Sequence, residues 1–258
     1  MPPIPAASVA SLRARTGVSI LACKQALEES GGDEEKAIEI LRKRGIAQAV
    51  KKADREQHEG AIFIAQGNKK AALLLLRCET DFVARSDDFI AMGQGLAQTV
   101  LEKGRDAAMA DLEKTVPELV QKLGENISTG EVREAQAPSV GTYVHSNRKI
   151  GVIIGLDKTG EETKAKDVAM HAAAMNPQYT NPEDVPSDTM EKEREIWSEQ
   201  MKDGKKPPEI LEKIIQGKER KFREENALIK QPFVKDSSMS VEKYLGGATV
   251  TEYVRVTV

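Results

Sequence analysis

Residues 61–85 read AIFIAQGNKKAALLLLRCETDFVAR. Two β-prone runs flank Gly67-Asn68, which is the spacing of a hairpin. The second run, Leu73–Leu76, does not alternate, so its strand is expected to be buried on both faces. A polar, helix-like start, SDDF, follows at residues 86–89, with Phe89, Ile90, Leu96, Val100 and Leu101 as apolar positions. A further helix is expected near 111–123. One strand-rich hairpin backed by helices thus sets an α+β class. Between strand and helix lies CETDFVAR, residues 78–85. The chain has five Phe, and one at the end of a buried strand reads from composition as core.

The order recurs further on. SVGTYVHS, a turn at Asn147-Arg148, and KIGVIIGLD form a second hairpin, and KAKDVAMHAAAM is a helix ended by Asn176-Pro177. The local echo of IAM at 90–92 in VAM at 168–170 hints at two duplicated α+β units. Alternation in TVTEYVRVTV makes the last stretch a strand.

Upstream, residues 8–45 read as three short helices. Ser8, Ser19 and Asp33 are the expected caps, and Gly17, Gly31-Gly32 and Gly45 the expected stops. The basic, Ala-rich stretch after Gly45 reads as a linker, helical or not. Residues 188–229 are mostly charged. Met190, Trp197 and Met201, then Leu211, Ile215 and Phe222, fall at helical spacing on either side of DGKKPPE, with Gly204 and Pro207-Pro208 as the break. That pattern is an antiparallel helical hairpin with a narrow apolar seam. The expected divisions are 1–54, 55–139 and 140–258, with the hairpin at about 188–229.

Composition narrows the function. The 258 residues carry a net charge of −3, so no basic excess points to nucleic acid. The longest apolar run, Ala71–Leu76, is far short of the roughly 20 residues of a membrane span, and MPPIPAAS lacks the features of a signal peptide. Two Cys, 23 and 78, suit a reducing cytosol. No phosphate loop is present, and Gly93 and Gly95 lack the third glycine of a dinucleotide fingerprint. His58, His145 and His171 are scattered, without metal-ligand spacing. Glu79 and Asp81 share a face of an extended chain and are the one carboxylate pair suited to a hydrolase. No metal or cofactor is expected.

Several motifs together resemble one family, translation elongation factor Ts, the nucleotide-exchange factor for the GTPase EF-Tu. They are LRARTGVSILACKQALEESGGDEEKAIEILRKRG near the start, TDFVAR at 80–85, HSNRKIGVIIGL at 145–156, NPQYTNPEDVP at 176–186 and QPFVKD at 231–236. The resemblance implies a ubiquitin-associated-like three-helix domain, two core α+β subdomains with antiparallel sheets, and the inserted helical hairpin. It implies a cytoplasmic, non-enzymatic protein that binds EF-Tu, with a homodimer or a 2:2 complex as its assembly, without nucleic acid or membrane. Asp81 and Phe82, supported by Thr80, Val83 and Ala84, would disturb the partner's Mg2+ site. Arg13, Ile20, Leu21, Ile127 and His145 would be further contacts. Ile20 and Leu21 stand where many relatives carry methionines, and Ala22 where they carry an acidic residue. The sequence stops at Val258, where some relatives have one more helix, whose contacts are expected to be missing. The competing reading is an adaptor whose N-terminal helices recruit another protein; it leaves TDFVAR and QPFVKD without a task.

Overall fold

A computed structural model describes residues 4–201 and 207–258. Gly204, assigned above to the hairpin break, lies outside the described residues.

The chain begins with α1 (Ala6–Thr16), α2 (Ile20–Glu29) and α3 (Glu34–Lys52). Ser19 and Asp33 cap α2 and α3 as expected, accepting from the backbone N–H of Ala22 and Lys36. Helix α1 starts before Ser8, because Pro5 holds the entry residue at φ −62° without any side-chain cap. Leu12, Cys23, Ala26, Leu27, Ala37 and Leu41 form the small core of this bundle.

Gly45 is not a stop. Helix α3 runs seven residues further, to Lys52, so of the two forms left open for the basic stretch the helical one is found. Gly45 is needed for a different reason: a β-carbon there would stand 2.6 Å from the carbonyl oxygen of Pro117. Pro117 lies inside a long helix, and α3 crosses it at that point.

The hairpin is β1 (Glu59–Gln66) and β2 (Lys70–Cys78), with Ile62 opposite Leu75 and Phe63 opposite Leu74. After it come α4 (Asp81–Ala84), α5 (Asp87–Lys103) and α6 (Arg105–Leu123), which carries Pro117. Strand β3 (Ser128–Gln136) then returns to pair with β2. The stretch STGEVREAQ carries no apolar alternation, so this edge strand was not anticipated. Leu73–Leu76 is buried on both faces, as expected. Leu74 and Leu76 pack with Phe63, Phe89 and Val100 under the helices, whereas Leu73 and Leu75 pack with Ile62, Val140 and Ile153. Gly93 serves packing here, since a β-carbon on it would overlap the Phe63 ring.

Val140 and Ile153 belong to the second sheet, made of β4 (Ser139–Val144), β5 (Ile150–Leu156) and the last strand of the chain. Helix α7 (Glu162–Met175) covers its other face and ends on Asn176 in the left-handed region, φ 50°. Next are α8 (Ser187–Gln200) and α9 (Pro208–Asn226), whose seam holds Met190, Trp197 and Ile215, with Phe222 edge-on to Trp197 at 6.0 Å. A short hairpin of β6 (Pro232–Phe233) and β7 (Asp236–Ser240), the turn α10 (Val241–Leu245) and β8 (Val250–Thr257) complete the chain. Both three-stranded sheets have one plan: a hairpin, then helices, then a strand that returns antiparallel to the second hairpin strand. The fold is α+β, and the layer between the sheets gives its two halves a shared core.

Candidate functional site

Strand β2 ends at Cys78, and there the ladder to β1 stops, with Glu59 opposite Cys78. The next backbone groups need other partners. Glu125, just beyond α6, supplies them. Its Oε2 accepts from the backbone N–H of Glu79 and of Thr80, each at 3.0 Å, and its Oε1 accepts from the Thr80 hydroxyl. Thr80 in turn caps α4, its oxygen accepting from the N–H of Val83 at 3.4 Å. Glu79 reciprocates by accepting from the N–H of Asn126 at 2.7 Å. The Asn126 amide donates to the carbonyls of Ala53 and Arg55, at 3.1 and 3.0 Å, where α3 ends.

On this clamped turn the side chains divide sharply. Val83 and Ala84 are 8% and 5% exposed and enter the first core. Phe82 is 84% exposed. It points out of the protein, so the reading of Phe82 as core, from composition alone, is wrong for this chain. Neighbouring Asp81 pairs with Arg85 one turn on, at 3.0 Å. Glu79 and Asp81, grouped above as a carboxylate pair, are committed elsewhere, Glu79 to Asn126 and Arg55 and Asp81 to Arg85. Burial pushes the Cys78 thiol up to about 12, and it donates to the Thr80 carbonyl at 3.2 Å, so it is a packed thiol rather than a nucleophile.

The turn of the second hairpin comes to the same place. Arg148, at φ 56°, donates its N–H to the His145 carbonyl, and its own carbonyl accepts from Ile62 at 2.8 Å. Its guanidinium lies 5.3 Å from the Phe63 ring centre. Lys149 pairs with Glu59 and donates to the Gly60 carbonyl. Between this turn and α4 runs a cleft of about 450 Å³, with Asp81 and Arg85 on one wall and Ser146–Lys149 on the other. His145, which precedes Ser146 in the chain, is exposed, with Nδ1 3.2 Å from the Tyr143 hydroxyl.

The other expected contacts divide. Ile20 and Leu21 are 57% and 64% exposed, not bundle core. Ile20 and Arg13 line one groove between α1 and α2. Ile127 is 3% exposed and packs in the first core, so in the free chain it presents little surface for a contact. The residues that sequence reasoning missed are its neighbours Glu125 and Asn126. Nothing in GENI separates a clamp from a solvated loop without knowing that the end of β2 lies beside it.

Across residues 79–258 the chain matches a family model described as Elongation factor TS. It is 45% identical to the Elongation factor Ts of Deinococcus deserti over 258 residues, covering 96% of this chain and 97% of that protein. The chain belongs to the elongation factor Ts family. Other members of the elongation factor Ts family are close as well. The protein of Deinococcus radiodurans is 44% identical over 261 residues, with the same coverage, and that of Idiomarina loihiensis 43% over 264 residues, covering 98% of this chain and 90% of its own. These alignments include the N-terminal bundle, which the family model leaves out. The role of an elongation factor Ts is in translation elongation. Among the described residues no His, Cys, Asp and Glu group could hold a metal ion, and no helix is long and apolar enough to cross a membrane.

Proposed function

We propose that this chain binds the GTPase EF-Tu in the cytoplasm and accelerates GDP release by pressing Phe82 and Asp81 against the region that holds the nucleotide's Mg2+ and phosphates. In a GTPase that ion bridges phosphate oxygens and protein ligands. It is a dominant local charge, so displacing its ligands weakens nucleotide binding. A protein that binds the nucleotide-free GTPase better than the loaded one loosens the nucleotide by the same factor. Such a factor needs no covalent chemistry, and a rigid apolar wedge with a charge beside it suffices.

The observation that carries this reading is Phe82 itself, 84% exposed on a turn whose next two residues, Val83 and Ala84, are buried. An exposed large apolar side chain on an ordered turn is a binding anchor awaiting a pocket. The cleft beside it would receive polar groups next to the phosphates, and the exposed His145 in the adjoining turn would make a further contact. Arg13, Ile20 and Leu21 would make a second contact from the N-terminal bundle. The α8–α9 hairpin would reach a more distant part of the GTPase or a second copy of the chain. The test is release of a fluorescent GDP from EF-Tu. Acceleration that depends on Phe82 is expected, and release unaffected by the added protein would overturn the reading.

A further inference from the structure

Phe82 has almost no packing of its own to aim it. Its direction comes from the backbone of residues 79–83, and that backbone hangs on one carboxylate. Glu125 collects three donors, the N–H groups of Glu79 and Thr80 and the Thr80 hydroxyl. Among the described residues it pairs with no Lys or Arg. A half-buried carboxylate without a cationic partner is held only by such donors, and they hold it in return. The hydroxyl hydrogen of Thr80 is directed at Glu125, which leaves the oxygen lone pair for Val83 N–H. Glu125 therefore fixes the orientation of the cap, and the cap fixes the one-turn helix that carries Phe82.

We infer that Glu125 is the positioning residue for the Asp81–Phe82 wedge. It presets the turn so that insertion of the ring into a partner does not first require ordering the turn. The inference rests on the exchange reading above. Preorganisation of this kind changes how well an anchor works without touching the partner. Asn126 extends the same clip to the end of α3 through Ala53 and Arg55, so the N-terminal bundle and the wedge share one anchor point.

The test is stopped-flow release of a fluorescent GDP from EF-Tu at saturating exchange protein. The proteins compared are wild type, Glu125→Ala, Glu125→Gln, Phe82→Ala and the Glu125→Ala/Phe82→Ala double variant. Glu125→Ala is expected to slow release by at least about tenfold, on the scale of one charge-assisted hydrogen bond. Glu125→Gln keeps a carbonyl acceptor for the two N–H groups and should restore most of the rate. The double variant should be slower than Phe82→Ala by much less than the factor Glu125→Ala costs in the wild type, because a misplaced ring and an absent ring are equivalent and only the smaller Asp81 contribution remains to be lost. Should Glu125→Ala fail to fold, Glu125→Asp withdraws the carboxylate by one methylene and should slow release in the same direction. Wild-type rates for the folded Glu125 variants beside a slow Phe82→Ala would overturn the positioning role alone, as would simple additivity in the double variant. A Phe82→Ala protein as fast as wild type would overturn the exchange reading and this inference together.

Discussion

The α-carbon of Gly45 lies so close to Pro117 that a β-carbon on it would stand 2.6 Å from the Pro117 carbonyl oxygen. Local propensity and tertiary packing therefore disagree about this residue. In a free helix, Gly→Ala is worth about 1 kcal/mol in favour of Ala. Here the neighbouring atom is backbone, which cannot rotate away. Gly45→Ala is expected to destabilise by about 1–3 kcal/mol, the range of overpacked sites, and thermal melting checks it. A higher melting temperature would mean that α3 rides more loosely on α6 than the geometry has it.

The same pair explains where sequence reading succeeds and where it stops. Ser19 and Asp33 were legible because a cap is a bond between a side chain and its own next turn. The Gly67-Asn68 hairpin and the two-faced Leu73–Leu76 strand were legible for the same local reason. Gly45 carries the local signature of a stop, yet its cause is Pro117, 72 residues away in sequence. Strand β3 was invisible because an edge strand with one wet face needs little apolar residue. The outward direction of Phe82 was not contained in composition or spacing at all, only in the resemblance of TDFVAR to a family. Glu125 acts on residues more than 40 positions away, and no pattern within GENI announces it.

His171 makes stability depend on pH. Its ring is fully buried; Nδ1 accepts from Val234 N–H at 3.1 Å and Nε2 lies 3.0 Å from the side-chain Oε1 of Gln231, so the ring is neutral, with the proton on Nε2. Burial lowers its pKa below the ordinary 6.5, against a smaller opposing effect of Gln231. The unfolded chain therefore takes up this proton first. Stability from this group is fully present above about pH 6.5 and is lost as the pH falls from there towards the lowered folded value, with a slope of at most about 1.4 kcal/mol per unit. Urea unfolding at pH 7.5 and 5 should show the loss. His171→Asn, which keeps an acceptor near Nδ1 but cannot titrate, should show a smaller difference. Equal pH dependence in both proteins would assign the effect elsewhere.

The α8–α9 hairpin has a seam of its own. Met190, Trp197 and Ile215 form a cluster separate from both sheet cores, tied back by Arg223 to the carbonyls of Pro182 and Val185. Replacing residues 189–224 by a short Gly/Ser linker should leave a cooperative unfolding transition intact, because the Asn226 carbonyl that accepts from Gln178 and Tyr179 is retained. Circular dichroism would follow it. Loss of the cooperative transition would make the hairpin part of the core.

Phe82 and Ile127 lie on opposite sides of the same clip, one exposed and one buried, and they separate interface from core by experiment. Ile127 is 3% exposed, so Ile127→Ala should cost about 2–5 kcal/mol of folding stability. Phe82→Ala removes a larger side chain, but from solvent, and should stay within about ±0.5 kcal/mol. The order reverses when EF-Tu is present. Loss of an aromatic anchor can cost about 2 kcal/mol or more in binding, which is roughly 30-fold in an equilibrium at 1.4 kcal/mol per decade. GDP release should therefore slow by at least about tenfold with Phe82→Ala, whereas the folded fraction of Ile127→Ala should exchange near the wild-type rate. Asp81→Ala, which leaves the ring in place, should slow release in the same direction but by less. If Phe82→Ala instead melts several degrees lower and its folded fraction exchanges normally, the ring is serving the fold, and Asp81 and Phe82 are not the wedge.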